Sequence, residues 1–237
     1  GLQGLRSLIA GDFDNDGLTD LAAVGTQGAT LWKNLRGAFR VIPLKDATGN
    51  WSAAAWLDFD HDYDLDLFLF GEKPLLLRNH GTAGFAERTA DFPFVAGKAN
   101  AALPYRMIAD TKSFDLVVSY AERAAVLYHD LLGGKYEVVT VSGVAAGAEI
   151  TGVADFNQDS QLDLMGKDGV YLNRPRDGLA RSAGSPVMDY VIDGNFLRVR
   201  RKPANWVGVN LQGVKNLKSA IGAEVEVKAG TLYQKKI

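Results

Sequence analysis

The chain predicts an all-β fold built from repeated four-stranded units and followed by a smaller β module. Three observations lead there. Short apolar runs bounded by glycine or turn residues recur throughout, as SLIAG, DLAAV, ATLWKN and AFRVIPL do in the first unit, and runs of this length read as strands joined by tight turns. An acidic loop, Asp-x-Asp/Asn-x-Asp-x-x-x-Asp-Leu, occurs three times. Equivalent aspartates recur at about 46 to 49 residues, a period that marks a repeat architecture. A four-stranded unit repeated at that interval is the blade of a β-propeller, whose radial stacking leaves only short, protected edges.

The first loop, GDFDNDGLTDL, offers Asp12, Asp14, Asp16 and Asp20. The second, LDFDHDYDLDL, offers Asp58, Asp60, Asp62 and Asp66, and the third, ADFNQDSQLDL, offers Asp155, Asn157, Asp159 and Asp163. Oxygens at every second residue suit a hard cation, because Ca2+ takes roughly 6 to 8 oxygen ligands at about 2.3 to 2.6 Å. The carbonyls of Leu18, Asp64 and Gln161, at the seventh loop position, complete each candidate set. An EF-hand needs a glutamate at position 12 and flanking helices. Ala23, Leu69 and Gly166 stand there instead, between strand-like runs. The sixth position calls for a left-handed turn, which Gly17 adopts without cost while Tyr63 and Ser160 do not. The first loop is therefore expected to be the best formed.

The unit between the second and third loops, MIADTKSFDLVVS, keeps Ile108, Asp110, Asp115 and Leu116. Its loop is shorter and carries Lys112 where a cation would sit, so no ion is expected there. A second signature follows each loop: ATLWKN, LLLRN, AVLYHD and GVYLN. Trp32, Tyr128 and Tyr171 fall at equivalent places in it and read as blade-packing residues.

Taken in order, loop, strand and Tyr/Trp-x-Asn signature resemble the FG-GAP or VCBS repeat of integrin alpha-chain propellers and many bacterial secreted proteins. The resemblance covers about residues 5–173. It implies calcium loops of structural character, set away from the usual ligand surface. Propellers of that family usually have more blades than the four found in residues 1–173, so either the ring closes with few blades or the chain is a piece of a longer one. Residues 174–187, RPRDGLARSAGSPV, read as a connection. In residues 188–237 the alternating Trp206, Val207, Val209, Leu211 and Val225, Val227 predict a further β module. Asn205, Trp206, Leu211, Gly213, Asn216, Ile221, Gly222, Ala223 and Val225 resemble the ASPIC/UnbV domain, which follows VCBS repeats in bacterial proteins and in the cartilage acidic protein family. That domain runs further than this chain does, which implies that the chain stops inside it.

Composition narrows the function classes. The chain has 237 residues, 47% of them hydrophobic, and no cysteine, so disulfides and thiolate zinc sites are excluded. No apolar run reaches the roughly 18 residues of a membrane span. The net charge of −2 hides a division, because the three loops hold 12 of the 28 acidic residues. Their repulsion would be relieved by a bound cation. The basic excess of the last module reads as a solvated face, and no nucleic-acid partner is expected. His61, His80 and His129 make no HExxH motif, and no GxSxG, P-loop or GxGxxG occurs. These readings point to a calcium-stabilised recognition or adhesion propeller without catalysis, secreted, periplasmic or on the cell surface, with an export signal upstream of Gly1 and a protein or glycan ligand. The alternative is an enzyme or accessory protein of a biosynthetic or polysaccharide-processing system.

Overall fold

The computed structural model describes residues 4–107, 113–156, 161–174, 178–181, 190–193, 196–199, 225–229 and 232–236. Four antiparallel sheets, each a four-stranded meander, form the blades of a β-propeller. Blade 1 contains β1 (Leu5–Gly11), β2 (Asp20–Gly25), β3 (Gly28–Asn34) and β4 (Phe39–Pro43); blade 2 contains β5 (Trp51–Leu57), β6 (Asp66–Gly71), β7 (Leu75–Asn79) and β8 (Phe85–Glu87). Blade 3 contains β9 (Ala99–Tyr105), β10 (Asp115–Tyr120), β11 (Val126–Asp130) and β12 (Tyr136–Thr140). Blade 4 contains β13 (Ile150–Ala154), β14 (Asp163–Gly166), β15 (Gly169–Arg174) and β16 (Gly178–Arg181). The first strands of successive blades lie side by side, β1 on β5, β5 on β9 and β9 on β13. Among the described residues no packing of comparable extent joins blade 4 back to blade 1.

The period-2 geometry of a strand explains why central strands are apolar throughout instead of alternating. In β6, Leu67 and Leu69 face blade 1 with Leu31 and Trp56, while Phe68 and Phe70 face blade 3 with Leu116 and Tyr128. A third layer, between blades 3 and 4, holds Tyr105, Val117, Leu127, Ile150, Leu164 and Tyr171. Each fully buried Leu or Phe contributes about 1.5 to 3 kcal/mol relative to exposure, so the three inter-blade layers are the main stabilising element. Among the described residues blade 1 has a layer on one side only. Its first strand is correspondingly exposed, with Leu8 at 51%, whereas β5 is buried along nearly its whole length. The same asymmetry separates Trp32, partly exposed, from its equivalents Tyr128 and Tyr171, at 0% and 1%.

The strand β16 falls inside the segment whose composition reads as a connection. Its pairing with β15 sets Leu179 opposite Asn173, and Leu179 is buried in the layer between blades 3 and 4. One apolar side chain thus draws a Gly- and Arg-rich stretch into the sheet. Beyond the blades, β17 (Tyr190–Asp193) pairs with β18 (Phe196–Val199), and β19 (Val225–Ala229) pairs with β20 (Leu232–Lys236). The residues from Asn205 to Ala223 that carry the ASPIC/UnbV resemblance lie outside the described residues.

Candidate metal centre

The second strand of every blade begins on a buried aspartate: Asp20, Asp66, Asp115 and Asp163 are 0 to 1% exposed. Each is placed by the end of the third strand. Asp20 Oδ1 accepts the Asn34 N–H at 2.7 Å, Asp66 Oδ1 that of Asn79 at 2.8 Å, Asp115 Oδ1 that of Asp130 at 2.9 Å, and Asp163 Oδ1 that of Asn173 at 2.8 Å. In the three blades with an acidic loop the other oxygen accepts the N–H of the loop's phenylalanine, Phe13 at 3.3 Å, Phe59 at 3.0 Å and Phe156 at 2.8 Å. The phenylalanine rings are buried, so the apolar side chain anchors the loop while its amide orients the carboxylate.

Loops 1 and 2 match bond for bond. Asp12 accepts from Asp16 N–H and Gly17 N–H at 3.0 and 2.8 Å, as Asp58 does from Asp62 N–H and Tyr63 N–H at 3.1 and 3.0 Å. Asp16 accepts the Leu18 N–H and Asp62 the Asp64 N–H, which places both carbonyl candidates on the same turn. The turns require left-handed backbone at Gly17 (φ 85°) and at Tyr63 (φ 72°), so Tyr63 pays the steric strain that glycine avoids. The loops are also tied to each other: Asn15 Nδ2 donates to Asp64 Oδ1 at 2.8 Å, and Asn79 Nδ2 donates to the Phe13 carbonyl at 2.7 Å.

Folding collects oxygens of Asp12, Asp14 and Asp20 within 4.8 Å of one another, and does the same for Asp58, Asp60 and Asp66. Asp16 and Asp62 stand apart from these triads, each on a cationic side chain. The Lys33 ammonium contacts Asp14 and lies 3.0 Å from Asp16 Oδ2. Arg78 lies 2.6 Å from Asp60 through Nε and 2.9 Å from Asp62 through Nη2. The remaining oxygens of the position-3 residues, Asp14 Oδ1 and Asp60 Oδ1, are buried without a hydrogen-bond partner. Burial, ahead of the neighbouring carboxylates, pushes Asp20 and Asp58 up to about 6 and Asp66 up to about 8, and raises Asp12 and Asp64. Asp16 moves the other way: burial pushes it up, but Lys33 and the Leu18 amide outweigh that and lower it.

In the third loop Asp155 and Gln161 are half-buried and Asp163 is buried, while Asn157 and Asp159 lie outside the described residues. So do Ile108, Asp110 and Lys112 of the shortened loop. In that blade His129 Nδ1 meets Asp115 Oδ1 at 2.8 Å, and His61 Nε2, from loop 2, meets Asp130 Oδ2 at 2.8 Å. Sequence reasoning did not assign roles to Asn34, Asn79 and Asn173, nor to Lys33 and Arg78. The asparagines could have been found from the recurring third-strand endings WKN, LRN and YLN, whereas the residue before each asparagine varies and carries no such signal.

Beside loop 2 a cavity of about 550 Å³ opens between the first strands of blades 1 to 3. Its walls are largely apolar, from Ile9, Ala54, Trp56, Leu103 and Phe114, and its polar groups come from Asp58, His61, Tyr63 and Ser113.

Residues 12–69 match the FG-GAP-like repeat family, a span that runs from the first aspartate of loop 1 into β6. No curated protein matches the chain in sequence. Among solved structures the chain is similar to an Agrocybe aegerita lectin, described for specific recognition of non-reducing terminal N-acetylglucosamine, with a TM-score of 0.50 at 19% identity over 73% of this chain. The likeness spans 51% of the lectin chain. It is also similar to the Chaetomium thermophilum Nup170 N-terminal domain in complex with Nup53, with a TM-score of 0.42 at 12% identity, covering 75% of this chain and 28% of that one. The class is thus a β-propeller, with four blades among the described residues and FG-GAP-like repeat sequence in residues 12–69.

Proposed function

We propose that the protein is a calcium-stabilised recognition propeller that works outside the cytoplasm and has no catalytic role of its own. The observation that carries this reading is the pair of orphaned oxygens, Asp14 Oδ1 and Asp60 Oδ1, each inside a triad of carboxylates. A buried acceptor without a donor is costly, and a hard cation satisfies it together with the other oxygens of the triad. Asp12, Asp14, Asp20 and the Leu18 carbonyl would hold the ion in blade 1; Asp58, Asp60, Asp66 and the Asp64 carbonyl would hold it in blade 2. Asp155, Asn157, Asp159, Gln161 and Asp163 form the candidate set in blade 4. With no glutamate clamp, affinities of about 10⁻⁶ to 10⁻³ M are expected, a span whose weak end is that of extracellular modules, and magnesium should compete poorly.

The ion sets blade geometry, and the ligand is met elsewhere. FG-GAP-like sequence and a propeller fold favour adhesion or recognition of a protein or glycan, and the largely apolar cavity favours binding over acid–base chemistry. The module at residues 188–237 is assigned to the ASPIC/UnbV class on its sequence. Calorimetric titration with CaCl2 tests the metal reading, with millimolar or tighter binding expected and lost on replacing Asp14, Asp60 and Asn157 together. Absence of binding, or binding that survives the triple replacement, would refute it. A glycan array with and without calcium tests recognition.

A further inference from the structure

We propose that Lys33 and Arg78 are tethered counter-ions that hold the position-3 and position-5 carboxylates of loops 1 and 2, compete with a divalent cation there, and so set each loop's affinity. The inference rests on the calcium reading above. Both side chains immediately precede the asparagine whose N–H is fixed by the buried aspartate, Asn34 on Asp20 and Asn79 on Asp66. The backbone beneath each arm is therefore pinned to the loop it serves. Both arms reach the same two places, Lys33 to Asp14 and Asp16 and Arg78 to Asp60 and Asp62, although their chemistry differs.

Competition follows from a shared anchor. Asp14 and Asp60 belong to the carboxylate triads as well as to the arms. An incoming ion must take oxygens from the arm or accept its charge as a close neighbour, and either weakens binding. The equivalent positions of the other blades are His129, which turns to Asp115 in the blade with the shortened loop, and Leu172, which has no charge to offer. Arginine engages two carboxylates through a rigid fork, whereas lysine is a flexible, strongly hydrated point charge. Loop 1 should therefore yield to calcium at a lower concentration than loop 2.

The test is calcium calorimetry on the full chain, with thermal melting in chelator alongside. Lys33→Met and Arg78→Met should each tighten one site about tenfold and lower the ion-free melting midpoint. The charge-preserving Arg78→Lys, which keeps a folded protein should the Met variants fail, should tighten its site several-fold, and Lys33→Arg should weaken its own. If the unaltered chain and every variant bind no calcium, the calcium reading fails and takes this inference with it. If the unaltered chain binds but the Met variants bind equally or more weakly, the arms do not compete with the ion and the inference alone is overturned.

Discussion

Asp66 in blade 2 and Asp115 in blade 3 begin equivalent strands, are equally buried, and accept the same backbone N–H from the end of the third strand. Their remaining partners differ. Asp66 gives its second oxygen to the Phe59 amide of an acidic loop beside Arg78, while Asp115 has the His129 imidazole together with the Met107 amide. The aspartate's work in tying two strands together is thus separable from the loop. Blade 3 keeps the tie and replaces the loop's cationic surroundings with one imidazole. In blades 1 and 2 the loop's repulsion is already relieved in part by Lys33 and Arg78, a role that sequence reasoning left to a bound ion alone.

Ion removal should have the largest effect, and only on the blades with acidic loops. With calcium at about a hundred times each site constant, every occupied loop contributes about 2.7 kcal/mol. Chelation should therefore lower the melting midpoint by roughly 5 to 10 °C per loop, and replacing Asp14 and Asp60 together should abolish most of the response. A midpoint indifferent to chelator would remove the distinction between the two kinds of blade. Next comes Asp66→Ala, which strands the Phe59 and Asn79 amides and should cost about 3 kcal/mol even in chelator. Asp115→Ala should cost a similar amount, and the same amount with and without calcium.

The pH dependence of the ion-free protein sharpens the contrast. Asp20, Asp58 and Asp66 have folded values raised to about 6, 6 and 8, mainly by burial. A raised carboxyl stabilises the fold fully below its unfolded value near 4 and loses that contribution as pH climbs through the folded value. Melting in chelator should accordingly fall from pH 5 to pH 8, and saturating calcium should flatten or invert the slope, since the ion holds these groups ionised. A chelated protein that gains stability over that interval would contradict the assignment. A smaller effect is expected from His129→Leu, which removes the Asp115 partner at about 1 to 2 kcal/mol and leaves calorimetric calcium binding unchanged. The smallest is Tyr63→Gly, which relieves about 1 to 2 kcal/mol of left-handed strain against about 0.5 to 1 kcal/mol of added chain entropy and should give a small net gain in stability, measurable by denaturant titration.

The repeat, the strands and the acidic loops were legible because they are local. Period-2 apolar runs, a fixed interval and oxygens at alternate residues need no partner from elsewhere in the chain to be recognised. Even the strain at Tyr63 could be read beforehand, since position 6 requires one backbone conformation whatever surrounds it. What only the tertiary structure decided is pairing across distance. It sets Leu67 against blade 1 and Phe68 against blade 3. It turns Lys33 and Arg78 onto loops that precede them by more than a dozen residues, and it draws Leu179 into blade 4. These depend on which surfaces the stacking of blades brings together, and an isolated lysine, arginine or leucine carries no mark of its future neighbour in the order of the chain.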